Sequence, residues 1–400
     1  MNLVSVAERV AAIERSTVVF DSGRCLHTAD KFSKCEVCRQ ACPVGAIQPG
    51  TPPTFRAEAC TNCWACLPAC PAGAFSADDA VPALLNCTAR IEADPVELIC
   101  ERHPNGDQGL SASGVGVRVR GCLAGLGVSA YLALAVLGLE QILVRIDACA
   151  QCAWGSLRSQ IESQVEQARQ LLEPWGRSRT LVLITSDLSQ KLIQKLIQRS
   201  IWEAANPPLS RRDLFRLASR RGQIVIARAA AQEGGSAAHR PSQERQRLMN
   251  AVAHLPTEQQ PASEPRSLPV GPGFASVSIS EKCTACGVCA RACPTEALQF
   301  VQEEKVGYRL TFSPQACIGC EICAHVCAPA AVTVEPRPTF GYVFGRTGPM
   351  TLRAGDLVHC ERCRAPFAAR PGARLCPTCE FRRQNPFGSR SIPGLTKVRS

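Results

Sequence analysis

The sequence predicts a multidomain protein of mixed α+β and α/β class. One reason is its length of 400 residues, which exceeds the usual size of a single domain. Aromatic residues make up only 5%, and 29 glycines and 29 prolines indicate small lobes rather than one large core. Cysteine-rich segments lie near both ends of the chain. Between them, β-branched runs alternate with a helical pattern, which is typical of a parallel-sheet α/β domain.

The middle region supplies the strands of this domain. Its β-branched runs are VELIC (96–100), VRVRGC (117–122), ILVRID (142–147) and LVLITS (181–186). Apolar residues recur every three or four positions over 157–172, which predicts a helix between the last two strands. We therefore expect a central parallel-sheet α/β domain. The uncharged run 121–139 is either a membrane span or a buried helix. Its short connections and its glycines favour the buried helix, so no membrane span is expected.

The cysteine content indicates metal binding. The chain has 25 cysteines, which would suit a secreted disulfide scaffold or a metalloprotein. Its first residues, MNLVSVAERVAAIERS, carry charges where a signal peptide has its apolar run. Cysteines without an export signal bind metal more often than they form disulfides. We therefore predict a cytoplasmic metalloprotein.

The basic net charge does not by itself indicate nucleic-acid binding. The formal charge of +11 counts every cysteine as neutral, whereas metal-bound cysteines are thiolates. A four-thiolate iron–sulfur or zinc site carries a charge of about −2, so six sites contribute roughly −12. The basic excess then compensates metal sites, and nucleic-acid binding is not expected.

The cysteines contain an internal repeat. The motif C-x2-C-x2-C-x3-C-P is complete at 60–71 and again at 283–294, and 317–327 keeps its cysteine spacing with the proline one residue late. Three cysteines on such a tight loop reach three irons of one cubane cluster, whereas the fourth points toward a second cluster. This recurring spacing indicates two modules that each hold iron–sulfur clusters.

These modules resemble the bacterial two-cluster ferredoxin, over about 19–78 and 276–336. The resemblance implies two ferredoxin-like modules with four 4Fe-4S clusters. The implied ligand sets are Cys25, Cys35, Cys38 and Cys70; Cys42, Cys60, Cys63 and Cys66; Cys283, Cys286, Cys289 and Cys327; and Cys293, Cys317, Cys320 and Cys323. Cys25 departs from the pattern because residues 26–34 are inserted after it. If Cys25 does not reach the cluster, that site holds three cysteines and suits a 3Fe-4S cluster.

A further cysteine group belongs to the central domain. Cys100 and Cys122 end the first two predicted strands, and Cys149 and Cys152 follow the third. Ligands bind outside the carboxyl ends of parallel strands, so we expect these four thiols to share an iron–sulfur cluster or zinc. The alternative is that Cys149 and Cys152 form a redox dithiol. Cys87 is interpreted as a buried apolar thiol rather than a ligand.

Residues 95–185 resemble the small, delta-type iron–sulfur subunit of methyl-viologen-reducing hydrogenases, which links hydrogenase to heterodisulfide reductase. The matching features are the Arg-Gly-Cys122 strand end, the apolar helix and ILVRIDACAQC. The resemblance implies a 2Fe-2S cluster at the central cysteines. Family members often carry more cysteines near the first strand than Cys100, so the cluster type stays open.

The last cysteines predict a small zinc ribbon. Cys360 and Cys363 form one C-x2-C pair, and Cys376 and Cys379 form a second. Four thiolates bind zinc tetrahedrally and organise a segment too small for its own core. Mononuclear iron is the alternative, although rubredoxin-like sites commonly have glycine where Arg364 follows the first pair.

These features divide the chain into five segments. We expect an N-terminal dicluster module, a central domain, a basic segment with a flexible linker, a second dicluster module and a zinc-ribbon-like segment, over 1–80, 81–205, 206–275, 276–337 and 338–400. The linker, about 229–275, is predicted from its Ala, Gly, Ser, Pro and Gln content, and RLMNAVAHL (247–255) within it suggests a short helix.

The sequence favours an electron-transfer protein, because it lacks a phosphate-binding loop, a dinucleotide fingerprint and a nucleophile elbow. Such a protein would be an electron-transfer subunit of an oxidoreductase rather than a self-sufficient enzyme. It would relay single electrons from a hydrogenase-like donor to a heterodisulfide-reductase-like or flavoprotein acceptor. The alternatives are an oxidoreductase subunit with a catalytic central cysteine site, and a redox-sensing or assembly protein.

Overall fold

The structure is a computed structural model, and it describes residues 17–185, 197–208, 241–255, 267–268, 273–303, 307–345 and 348–385. The chain divides into two compact units, unit 1 (Met1–Glu264) and unit 2 (Pro265–Ser400). The boundary lies inside the segment that the sequence assigns to a linker.

Unit 1 begins with a small module built on two antiparallel pairs of short strands. These are β1 (Val19–Phe20) with β4 (Phe75–Ser76), and β2 (Ile47–Gln48) with β3 (Thr54–Phe55). Its short helices are α1 (Leu26–Ala29), α2 (Val37–Gln40) and α3 (Cys66–Ala69). Phe75 joins the two pairs, because its ring stacks on Phe20 at 4.7 Å and meets Phe55 edge-on at 5.9 Å.

The central part of unit 1 is a five-stranded, fully parallel sheet, which confirms the predicted α/β architecture. Its strands are β5 (Val96–Cys100), β7 (Val115–Val119), β8 (Ile142–Arg145), β9 (Leu181–Ile184) and β11 (Ile201–Glu203). Their order across the sheet is β11-β7-β5-β8-β9. A separate antiparallel pair joins β6 (Gln108–Gly109) to β10 (Ile197–Gln198). Strand β11 was not predicted.

Helices cover this sheet. They are α4 (Val81–Thr88), α5 (Gly127–Val136), α6 (Arg158–Leu172) and α7 (Gln243–Ala253). Helix α5 consists almost entirely of apolar and small residues, and it packs against α6 and α7 with its residues buried from Gly127 to Ala135. The run 121–139 is therefore a core helix preceded by a 3-10 turn at Leu123–Gly125. No helix in the described ranges is long and apolar enough to cross a bilayer.

Helix α7 overlaps the short helix that the sequence predicts at 247–255 and begins earlier, at Gln243. Its amphipathic face packs on α5, and Glu244 accepts hydrogen bonds from the backbone N–H and the hydroxyl of Ser129 at 2.8 and 2.5 Å. Arg247 forms a buried ion pair with Asp79 at 2.6 Å. This stretch therefore belongs to unit 1. Residues 209–240, 256–266 and 269–272 of the predicted linker lie outside the described residues.

Unit 2 contains a two-stranded and a four-stranded antiparallel sheet. Strand β12 (Ala275–Ile279) pairs with β15 (Val332–Pro336), and the larger sheet has the order β13-β14-β16-β17. Its strands are β13 (Leu298–Glu303), β14 (Gly307–Phe312), β16 (Met350–His359) and β17 (Pro366–Ala368). The helices are α8 (Val288–Arg291), α9 (Ile322–His325), α10 (Phe340–Phe344) and α11 (Pro377–Gln384).

The internal repeat is visible in the strand pairing. The pairs β1–β4 and β12–β15 close their modules, and the hairpins β2–β3 and β13–β14 occupy the same place between the cysteine motifs. The second hairpin is longer, and β16 adds to its open edge. The predicted segment 338–400 is therefore not a separate domain in its described part, because β16 and β17 extend the sheet of the second module.

Candidate metal centres

The second module encloses two cavities lined by cysteines. One contains about 400 Å³ of space, open solvent included, and is lined by Cys283, Cys286, Cys289 and Cys327. The other contains about 350 Å³ and is lined by Cys293, Cys317, Cys320 and Cys323. Each cavity takes three thiols from one motif and the fourth from the other, which is the exchange that the ferredoxin resemblance implies.

The loops between these cysteines share an uncommon backbone conformation. In three motifs, the second and fourth residues after the first cysteine have positive φ angles of 53–67°. These residues are Asn62 and Trp64, Ala285 and Gly287, and Gly319 and Glu321. The left-handed turns curl the loop around the sulfurs, and Gly319 donates its N–H to the Cys317 Sγ at 3.5 Å. Such N–H donors stabilise negatively charged sulfur.

A second set of donors follows the last cysteine of three motifs. The backbone N–H four residues further along approaches the sulfur at 3.2 or 3.3 Å in the pairs Ala46 with Cys42, Ala74 with Cys70, and Ala331 with Cys327. The N-terminal and second modules thus use the same local contacts at corresponding cysteines.

The N-terminal module gathers its eight thiols into the two implied groups. The pKa of Cys38 is raised to about 12, mainly by burial and in addition by the neighbouring thiols of Cys70, Cys35 and Cys25. The pKa of Cys66 is raised well above its ordinary value, mainly by burial and in addition by the thiols of Cys63, Cys60 and Cys42. We call the first group the outer site and the second group the inner site.

Cys25 lies near Cys35 of the outer site despite the insertion 26–34. Cys25 immediately precedes α1, and burial raises its pKa while hydrogen bonds from the backbone of His27 and Thr28 lower it. The loop from Cys35 to Cys38 has no positive-φ residue, and α2 begins there instead. The outer site therefore supplies backbone donors through a helical turn where the other three sites use left-handed loops.

The central domain brings its four predicted thiols to one cavity at the carboxyl edge of the parallel sheet. Cys100 ends β5, Cys122 follows β7, and Cys149 and Cys152 bracket a 3-10 turn after β8. The cavity contains about 390 Å³ of space, open solvent included, and Arg102 also lines it. We call these four thiols the central site. Cys87 is fully buried on α4 and does not line this cavity.

A buried charge network, which the sequence analysis missed, borders the central site. The Glu97 carboxylate accepts hydrogen bonds from Arg145 and Arg199, both at 3.0 Å. Arg145 also donates to Asp147 at 2.8 Å, and the His103 ring lies 3.2 Å from Asp147. Burial raises the pKa of Asp147, but hydrogen bonds from Arg145 and His103 outweigh it and hold that pKa far below its usual range. The sequence did contain a signal for this network, because Glu97 and Arg145 are charged residues inside the apolar strand runs 96–100 and 142–147.

The C-terminal cysteines form a different kind of site. The sulfurs of Cys360, Cys363, Cys376 and Cys379 all lie within 4.8 Å of one another. Within the described ranges, no other Cys, His, Asp or Glu group meets this spacing. Metal–sulfur bonds of about 2.3 Å place the ligands of one tetrahedral ion at such distances. We call this part of unit 2, formed by β16, β17 and α11, the four-cysteine lobe. Its thiols fit a single zinc or iron ion.

The cysteine cavities define an iron–sulfur protein, and the comparisons with known families point to the same segments. Residues 282–332 match a 4Fe-4S dicluster domain, and residues 53–76 match a 4Fe-4S binding domain. The chain therefore contains two 4Fe-4S ferredoxin-type domains, which confirms that part of the prediction. No protein of curated function matches the chain. Both matches lie outside 95–185 and 360–379, so the resemblances given for those segments stay predictions.

Proposed function

We propose that the chain is an electron-transfer protein that relays single electrons through several iron–sulfur clusters. The observation that carries this proposal is a contact between two cysteine sites of unit 1. The backbone N–H of Cys122, in the central site, donates to the carbonyl oxygen of Cys63, in the inner site, at 3.4 Å. Ligand residues of neighbouring sites then touch through the backbone, with no side chain or solvent layer between them.

Glycines permit this close approach. A Cβ atom at Gly121 would lie 2.9 Å from the Trp64 ring, and one at Gly125 would lie 2.9 Å from the Cys63 carbonyl oxygen. Real Cβ atoms essentially never come so near, so larger residues would push the two sites apart. Gly121 also has a φ of 75°, which favours glycine.

Side chains hold the inner-site loop against the central domain. Trp154 donates its indole N–H to the Thr61 hydroxyl at 3.1 Å, and Gln160 donates to the Ala65 carbonyl at 3.1 Å. Both acceptors lie in the loop that carries three cysteines of the inner site. A fixed distance between the two sites favours repeated electron transfer, because the sites need not move into position before each transfer.

The charges around the central site suit a negative cluster. Arg102 and Arg145 line the cavity, and Arg102 lies 4.0 Å above the Trp154 ring. Hydrogen bonds and nearby charge set the reduction potential of an iron–sulfur cluster. Arg145 is held in place by Glu97 and Asp147, whose carboxylates keep it protonated and offset its charge.

The all-thiol donor sets fit the proposed cofactors. The ferredoxin-type sites would hold up to four 4Fe-4S clusters, the central site a 2Fe-2S cluster, and the four-cysteine lobe a zinc ion. Bound clusters would supply reversible one-electron redox chemistry. The protein's own residues separate the sites, donate to the sulfurs and exclude water.

We further propose redox proteins as the partners: a hydrogenase-like donor and a heterodisulfide-reductase-like or flavoprotein acceptor. The hydrogenase-subunit resemblance of the central domain supports this choice. A cytoplasmic location is proposed because so many metal-binding thiols require a reducing compartment.

The test is anaerobic reconstitution of the full chain, followed by iron analysis and EPR. The wild-type protein should bind about 18 iron atoms, and the reduced inner and central clusters should show magnetic coupling. Cys122→Ser should lose the central cluster and the coupling while keeping the iron of the ferredoxin-type sites. Cys87→Ala, which changes a buried thiol away from the cavity, is the matched control and should keep both. Unchanged iron and coupling in Cys122→Ser would refute the proposal.

A further inference from the structure

Strand β17 (Pro366–Ala368) of the four-cysteine lobe lies between the cysteines of that lobe and the loop that carries Cys283. Phe367 is buried among the cysteines of the lobe. Ala368 points the other way, as successive strand residues do, and packs with Ala285 and Tyr308. One short strand therefore contacts the cysteines of the lobe on one face and, on the other, two residues that line the Cys283 cavity, Ala285 and Tyr308.

Hydrogen bonds from this strand and the residues after it reach the loop 282–286. Ala368 donates its N–H to the Thr284 carbonyl at 3.1 Å. The Arg370 guanidinium donates to the carbonyls of Lys282 and Cys283 at 2.8 and 3.3 Å. All three acceptors lie on the loop that carries Cys283 and Cys286, so the lobe fixes the backbone beside those sulfurs.

This loop holds one non-glycine residue in a left-handed conformation. Ala285 has a φ of 56°, a conformation in which the Cβ atom crowds the next carbonyl oxygen. The corresponding residue of the neighbouring motif is Gly319, which carries no such penalty. The two loops differ in where the strained residue stands, because the second left-handed position is Gly287 in this loop and Glu321 in the neighbouring motif. The strained residue of this loop, Ala285, packs against Ala368 of β17.

We propose that the four-cysteine lobe is a clamp that holds loop 282–286 in its cluster-binding conformation. Metal bound in the lobe thereby controls how long the cluster at Cys283, Cys286, Cys289 and Cys327 survives, and it leaves the neighbouring cluster unaffected. Arg370 is the positioning residue that links the two sites. This inference rests on the proposed function only in assigning a cluster to these four cysteines.

The test measures iron release from the reconstituted full-length protein to a ferrous chelator under anaerobic conditions. Arg370→Ala should release the iron of one cluster roughly fivefold faster than the wild-type protein, the effect of losing a hydrogen bond of about 1 kcal/mol. Arg374→Ala is the matched control, since this exposed arginine lies on the same lobe and its side chain pairs with the exposed Glu361 at 3.8 Å. It should release iron at the wild-type rate.

Two further variants locate the effect. Cys363→Ser removes one exposed ligand of the lobe, so its protein should contain less zinc and release iron as fast as Arg370→Ala. Adding Arg370→Ala to Cys286→Ser, which already lacks the clamped cluster, should cause no further acceleration. Equal release from Arg370→Ala and Arg374→Ala, or acceleration that persists in the Cys286→Ser background, would overturn the clamp. Absence of iron from these sites in the wild-type protein would instead refute the proposed function.

Discussion

Replacing Glu97 with glutamine tests the buried charge network beside the central site. One oxygen of Glu97 accepts from Arg145 and Arg199, both at 3.0 Å, and the other accepts from the Leu110 N–H at 2.8 Å. Each of these three neighbours is a donor. The amide group of glutamine must therefore face a donor in either orientation, and two buried arginines lose their shared counter-charge.

The expected loss of stability is large because all three charged side chains are at most 2% exposed. Removing one partner of a buried ion pair costs about 3–5 kcal/mol. For a domain of about 150–250 residues each kcal/mol lowers the melting temperature by about 2–4 °C, so we expect a decrease of roughly 6–20 °C.

Anaerobic thermal and denaturant unfolding, followed by circular dichroism, measures this effect. The matched control is Glu203→Gln, which breaks the pair between Arg118 and Glu203 at 2.9 Å. The Glu203 side chain is 53% exposed, and such pairs contribute about 0–1 kcal/mol. A Glu97→Gln protein as stable as the control would contradict the assignment of the network as a structural element of the sheet.

Two other predictions concern unit 1. Cys25→Ser should lower the iron content of the outer site by converting it to a three-cysteine site, visible as a 3Fe-4S signal in EPR, and an unchanged cubane signal would exclude Cys25 as a ligand. Burial raises the pKa of Glu244, although hydrogen bonds from Ser129 and the charge of Arg247 oppose it and Asp79 adds to it. The folded state therefore holds this proton more tightly, so the free energy of unfolding should fall as pH rises from about 4.3 through the raised pKa. Glu244→Gln should flatten that part of the pH profile, and a steeper one would contradict the reasoning.

The sequence predicted the sheet well where burial dictates composition. Strand β5 occupies the predicted residues 96–100, because strands buried on both faces read as continuous β-branched runs. Strand β11 (Ile201–Glu203) escaped prediction, since three edge residues carry no periodic signal. Pairing order was equally out of reach, because it depends on contacts between residues far apart in the chain.

The sequence predicted part of α7 but not what that helix packs against. Its sequence is rich in Arg, Gln and Glu, which in a local window indicates a solvated segment. The structure buries Arg247 against Asp79 and Glu244 against Ser129, so charged groups that lie far apart in sequence satisfy one another. Only the folded chain shows that such residues are partners rather than surface.

The ferredoxin resemblance implies how the thiols group, because the ferredoxin-type loop is a local structure with a characteristic cysteine spacing. What it left open is how each loop is supported. Ala285 depends on β17, which comes more than eighty residues later in the chain, and Cys25 depends on the helical turn of α1. These contacts come from residues outside the cysteine motifs, so the spacing of the motifs does not predict them.

The electrostatics of the cysteine sites give one reason for the basic composition. Each four-thiolate centre would add about −2 to the chain, and six centres would offset the formal +11. At the central site, Arg145 is 2% exposed and lines the cavity beside Arg102, but the carboxylates of Glu97 and Asp147 offset its charge. A buried guanidinium held by two carboxylates cannot contact a nucleic acid. We therefore expect the thiolates of bound clusters, rather than a polyanionic partner, to balance the basic residues of the chain.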